Sequence, residues 1–88
     1  MFVVVSYDIS SRQAGNRVRK TCESYLRLIQ KSVFEGEITE KKLGRLKDKL
    51  AGQIDPAVDS VVIYRFDSSA FAKKERIGVS KTNESEFI

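Results

Sequence analysis

A single carboxylate, Asp8, ends the run Phe2-Val3-Val4-Val5-Ser6-Tyr7, and no other acidic side chain precedes Glu23. Aromatic and β-branched residues at positions 2 to 5 predict a central strand with both faces covered, since a one-sided strand would alternate polar and apolar. Burying a carboxylate unpaired is costly, so Asp8 belongs where the strand emerges into water or where cations and donors compensate it. Strand ends on a rigid scaffold are common places for catalytic and metal-binding groups. A turn aspartate bonding the backbone of Ser10 or Ser11 accounts for the same residue equally well.

The chain contains no histidine, which removes the commonest general base, every Ser-His or Cys-His nucleophile pair and the usual zinc ligand. Any hydrolysis must therefore use carboxylate, tyrosine, lysine or a hard metal ion. Mg²⁺ usually takes one or two carboxylates plus water, and Asp8 has no acidic neighbour in its own segment. A two-fold dimer with both Asp8 side chains near its axis would supply the second ligand, and the two charges would repel unless a divalent ion lay between them. Tyr7 should point to the opposite face as a half-buried aromatic. Glu35 and Glu37 share a face around Gly36 and read as surface charges rather than metal ligands. Phe34 reads as core, and Cys22 as a small buried hydrophobe.

These groups need elements to hold them. Ile9 to Asn16 is polar and small, with Ser and Asn suited to capping a helix. From about Ala14 the apolar residues Val18, Cys22, Tyr25, Leu26 and Ile29 follow one face of a helix, with Arg17, Lys20, Ser24 and Arg27 opposite. On spacing alone that basic stripe reads as a solvated surface before it reads as a phosphate-tracking face. Leu28 to Ile38 looks extended, either as one bulged strand or as two antiparallel strands turning near Lys31-Ser32, with Gly36 supplying a kink or bulge. Thr39 is a good N-cap for a helix with the stripe Leu43, Leu46 and Leu50, and Pro56 lies beyond its end. Asp59 to Phe66 reads as a second central strand, Asp67 to Lys74 as a loop, and Glu75 to Val79 as a charged edge strand. With the hairpin option the order gives an α+β fold, the ferredoxin-like split βαβ pattern, with an antiparallel sheet and two helices on one face.

The 88 residues suit one domain over residues 1–79, followed by a tail, 80–88, whose final Phe87-Ile88 points to docking on a partner chain. The net charge of +4 is unevenly placed. Residues 1–31 hold Arg12, Arg17, Arg19, Lys20, Arg27 and Lys31 against Asp8 and Glu23, whereas the rest of the chain is nearly balanced. Such a bias favours polyanions such as nucleic acid. One cysteine, with no apolar signal segment or membrane span, reads as cytoplasmic.

The strand ending in Tyr7-Asp8-Ile9, the helix with Asn16-Arg17-Val18, the segment Gln30-Lys31-Ser32-Val33-Phe34-Glu35-Gly36, the run Asp59-Ser60-Val61-Val62-Ile63-Tyr64 and the late Ile77-Gly78 together resemble the CRISPR-associated protein 2 family. The resemblance spans residues 1 to about 79. It implies a ferredoxin-like homodimer in CRISPR adaptation that bridges dimers of the CRISPR-associated integrase and holds spacer-precursor DNA. It also implies a divalent-metal-dependent nuclease, acting on single-stranded RNA or double-stranded DNA with Mg²⁺ or Mn²⁺ held by Asp8 across the dimer. Arg17 matches a basic helix position, and the cations Arg12, Arg17, Arg19, Lys20, Arg27 and Lys31 are the expected nucleic-acid contacts. One departure concerns the residues before Gln30: Leu28-Ile29 stand where relatives often carry arginine, and Arg27 is the nearest. An RNase toxin of similar fold is a further alternative.

Overall fold

The computed structural model describes residues 1–66 and 72–80, the side chains of residues 72 and 73 excepted. In chain order these form β1 (Phe2–Asp8), α1 (Arg12–Glu23), β2 (Arg27–Gln30), β3 (Val33–Glu37), α2 (Glu40–Gln53), β4 (Ser60–Phe66) and β5 (Ala72–Gly78). One antiparallel sheet of order β2-β3-β1-β4-β5 joins all five strands, with β1 at its centre between β3 and β4. The fold is ferredoxin-like, and β5 extends it beyond β4.

Both helices cover one face. Val3 and Val5 of β1, Phe34 of β3, and Val61 and Ile63 of β4 pack with Val18 and Cys22 of α1 and Leu43, Leu46 and Leu50 of α2 in a single core. Side chains alternate across a strand, so Phe2, Val4, Ser6 and Asp8 face the other way. Phe2, Val4 and Ser6 are only half-buried and Asp8 is exposed. The expectation of two covered faces is therefore met on one face within a chain, because neither helix crosses to the other.

Helix α1 starts earlier and ends earlier than its periodicity indicates. Ser11 caps it by accepting from the Ala14 N–H at 3.2 Å, and the helix stops at Glu23. Leu26 still reaches the core from the turn that follows, whereas Ile29 lies on β2 and is 47% exposed. Arg27 likewise leaves the helical stripe for β2. For α2, the Thr39 cap accepts from the Lys42 N–H at 3.2 Å, and its leucine stripe is buried as expected.

Residues 28–38 form the hairpin, turning at Lys31-Ser32. Gly36 makes no bulge; it pairs regularly with Val3, and the register shift falls in β2 between Leu28 and Gln30. A side chain on Gly36 would press on Leu26 Cδ2 at 3.3 Å, so its smallness admits Leu26 to the core. Strand β5 begins at Ala72, earlier than the edge strand read from Glu75, since its full length pairs with β4. An ionic cluster seats α2 on this side: Arg65 of β4 pairs with Glu40, and Lys47 reaches Glu75 of β5 at 2.5 Å. The hydrogen bond from Lys47 holds the Glu75 carboxyl below its usual range, against partial burial. Residues 67–71 and the tail 81–88, where docking is expected, lie outside the described residues.

Candidate functional site: a cationic cleft beside Asp8

Asp8 is the last residue of β1 and sits opposite Ser60, the first residue of β4. Beside it opens a cleft of about 600 Å³ between the end of β1, the start of α1 and the β2–β3 turn. Helix α1 contributes Arg12, Asn16 and Arg19, which at spacings of four and three share one helical stripe. The turn contributes Lys31 and Ser32, and Leu28 of β2 completes that wall. Asp8 is the one carboxylate among the described lining residues, against three cations. The cleft thus presents positive charge to an anion and a hard oxygen donor at its mouth.

The turn is fixed to the strand that carries Asp8. Ser32 adopts the left-handed region, φ 64°, which costs a non-glycine residue about 1–2 kcal/mol. Its carbonyl accepts the Tyr7 N–H at 3.0 Å. Tyr7 is half-buried and stacks on Phe34 with ring centroids 6.2 Å apart, on the face opposite Asp8. Burial, together with the neighbouring Cys22, pushes the phenol above its ordinary range. Cys22 is fully enclosed, and burial, aided by Glu23, pushes its thiol up to about 12. It stays protonated at neutral pH and offers no nucleophile.

The six cations expected to contact nucleic acid separate into groups. Arg12, Arg19 and Lys31 line the cleft, although Arg19 also lies 3.4 Å from Glu23. Arg17 is on the other flank of α1, in a smaller hollow of about 340 Å³ with Ser10, Gln53 and Asp55. Lys20 is exposed on the outer surface of α1, and Arg27 pairs with Glu35 across β2 and β3 at 3.0 Å. Glu37 pairs with the N-terminal amine at 3.3 Å, so neither glutamate beside Gly36 reaches the cleft.

Sequence reasoning missed Asp59 as a positioning residue. It is 2% exposed, and its carboxylate accepts the Ser10 and Asp55 N–H groups, both at 2.8 Å. It ties the segment leaving Asp8 to the loop entering β4. The readable signal was an acid immediately before an apolar strand, which also describes an ordinary turn residue.

Fold and site together define a small ferredoxin-like protein whose strand-end carboxylate opens on a cationic cleft. The chain belongs to the CRISPR associated protein Cas2 family, whose sequence model matches residues 1–74. It is 38% identical over 88 residues to the CRISPR-associated endoribonuclease Cas2 of Pyrococcus furiosus, covering 100% of both chains. The protein of that name from Thermococcus kodakarensis is 42% identical over 81 residues, 92% of each chain. The crystal structure of Streptococcus pyogenes Cas2 matches with a TM-score of 0.71 at 32% identity, over 76% of this chain and 87% of that one.

Proposed function

We propose that this protein works as a homodimer in CRISPR adaptation, holding spacer-precursor DNA through its cations and bridging dimers of the CRISPR-associated integrase. The observation that carries this reading is the imbalance of the cleft, with three cations around one carboxylate. Such a site grips phosphate more readily than it assembles a complete catalytic centre. The dimer is supported by the sheet face that neither helix covers, where Phe2 and Phe66 meet with ring centroids 6.3 Å apart and Phe66 is 41% exposed. A second copy is the occupant that also gives the other side of β1 the cover its apolar sequence expects. On this reading Asp8→Ala leaves integrase binding and spacer acquisition intact. Loss of acquisition in a folded variant that still binds integrase would contradict it.

A second reading, metal-dependent cleavage of RNA or duplex DNA, is favoured by the place of Asp8 at the cleft mouth and by the endoribonuclease names of the relatives. Among the described residues no three His, Cys, Asp or Glu side chains gather as a metal cluster. Asp8 nevertheless suits a hard ion as one of two carboxylates, with the partner's Asp8 as the other. Bound there, Mg²⁺ or Mn²⁺ would polarise a phosphate and lower the pKa of water. Arg12 and Lys31 would orient the phosphate, and Asp59 would hold the backbone beyond Asp8. Cleavage should vanish with EDTA and with Asp8→Ala, and activity that survives both excludes this site.

A further inference from the structure

We infer that the helical layer carries a second nucleic-acid surface, a band of cations across α1 and α2 that holds the sugar–phosphate backbone of a duplex apart from the Asp8 cleft. This deepens the DNA-holding reading and rests on it, but its main residues, those of α2, lie outside the cleft and outside the first third of the sequence.

The first observation is a separation of charge that the sequence conceals. Residues 32–59 contain six acids and five bases, which looks balanced. In the fold, Glu35, Glu37 and Glu40 are held by Arg27, the N-terminal amine and Arg65. Asp59 is buried under backbone N–H groups, whereas Asp55, which accepts from the Ala57 N–H at 3.0 Å, is exposed in the hollow that also holds Arg17. Asp48 is the acid left on the outer side of α2. Of the bases, Lys47 is engaged by Glu75. Lys41, Lys42 and Arg45 are exposed and make no ion pair among the described residues, while Lys49 lies over the Tyr25 ring at 5.3 Å.

The second observation is spacing. Lys41, Arg45 and Lys49 recur every four residues, about 6 Å apart along the axis; Lys41 and Arg45 lie on the side away from Leu43, Leu46 and Leu50 with Asp48 beside them, and Lys49 lies on the flank over Tyr25. Helix α1 lies alongside, joined through the mutual hydrogen bonds of Thr21 and Gln53 at 2.8 and 3.1 Å. Its exposed Arg17 and Lys20 extend the same band.

The third observation concerns two glycines. Gly44 and Gly52 lie on the outward part of α2, and an added Cβ at either meets nothing within 4 Å. Neither steric room nor a left-handed backbone requires glycine there, yet each costs about 1 kcal/mol relative to alanine. A low surface beside Arg45 lets another backbone approach closely.

The partner is a polyanion without an apolar component. Among the described residues the exposed large hydrophobics Leu28, Ile29, Val58 and Phe66 all lie off both helices. Protein interfaces centre on aromatic or aliphatic anchors and amphipathic membrane binding needs an apolar face, so repeated point charges on a polar helix favour phosphate.

The test is anisotropy of a labelled random-sequence DNA duplex titrated with the full-length protein over a range of salt, comparing wild type, the triple variant Lys41→Gln/Arg45→Gln/Lys49→Gln, and the cleft variant Arg12→Gln/Lys31→Gln. Melting curves establish that the variants fold. The triple variant should bind about tenfold or more weakly at moderate salt, with a log–log salt slope shallower by roughly 1 per removed contact. The cleft variant should keep more of the duplex affinity than the triple variant does. If wild type binds and the folded triple variant binds equally with an unchanged slope, this surface is refuted while the broader DNA-holding reading stands. If wild type fails to bind duplex at all, both fall. Tighter capture of a polyglutamate peptide than of duplex overturns the inference in favour of an acidic protein partner.

Discussion

Asp8 and Asp59 flank one paired position in the sheet, since Asp8 lies opposite Ser60, yet their surroundings make them different chemical groups. Asp8 is exposed at the mouth of a cleft, whereas Asp59 is enclosed with its oxygens directed at two backbone N–H groups. Hydrogen bonds to a charged group contribute about 1.5–3 kcal/mol each, and a buried donor left unpaired adds its own desolvation cost. Asp59→Ala should therefore lose roughly 3 kcal/mol or more in urea denaturation, and Asp59→Asn, which keeps a single acceptor oxygen, should lose less. Equal stability of all three proteins would show that this anchor does not hold the loop. Asp8 was legible because an acid ending an apolar run has few places to go. Asp59 was not, because its burial depends on residues 55–59 folding back over it, which no local pattern announces.

At the scale of elements, the Thr39 cap and the leucine stripe of α2 could be read directly, because they follow from a hydroxyl before the first turn and from spacing of three and four. The end of α1 could not. Leu26 continues the apolar period while already outside the helix, so burial and helicity part at Glu23. The Lys31-Ser32 turn was one of two options, and it is tied to β1 by Tyr7, whose N–H bonds the Ser32 carbonyl at 3.0 Å. Gly78, met in the sequence as part of a family resemblance, has a definite mechanical role. Its φ is 99°, and a Cβ there would stand 2.0 Å from the Asp59 carbonyl oxygen, which accepts the Val79 N–H at 2.9 Å. Gly78→Ala combines backbone strain with a backbone clash, and should cost at least about 2 kcal/mol. Hydrogen exchange should show β5 loosening before the rest of the sheet; full protection of β5 in the variant would contradict this mechanism.

At the scale of the whole molecule, two features depend on how elements share out charge and surface. The excess of cations in the first third of the sequence divides among a cleft, a helical layer and an ion pair, while in the balanced middle third Glu35, Glu37 and Glu40 are paired and the bases gather on α2. Neither division is visible without knowing which acids meet which partners in the fold. The apolar run of β1 announced two covered faces, and the chain covers one, leaving Phe2, Val4 and Asp8 on the open side. On the proposed reading a dimer is the working unit and Asp8 is half of a site. The direct test is the stoichiometry of Mn²⁺ bound to the purified protein of measured oligomeric state, followed by titration with EPR detection of free ion. One ion per dimer, lost in Asp8→Ala, is the expected result. One ion per chain, or binding that persists without the Asp8 carboxylate, would contradict the claim that this strand end acts only as a pair.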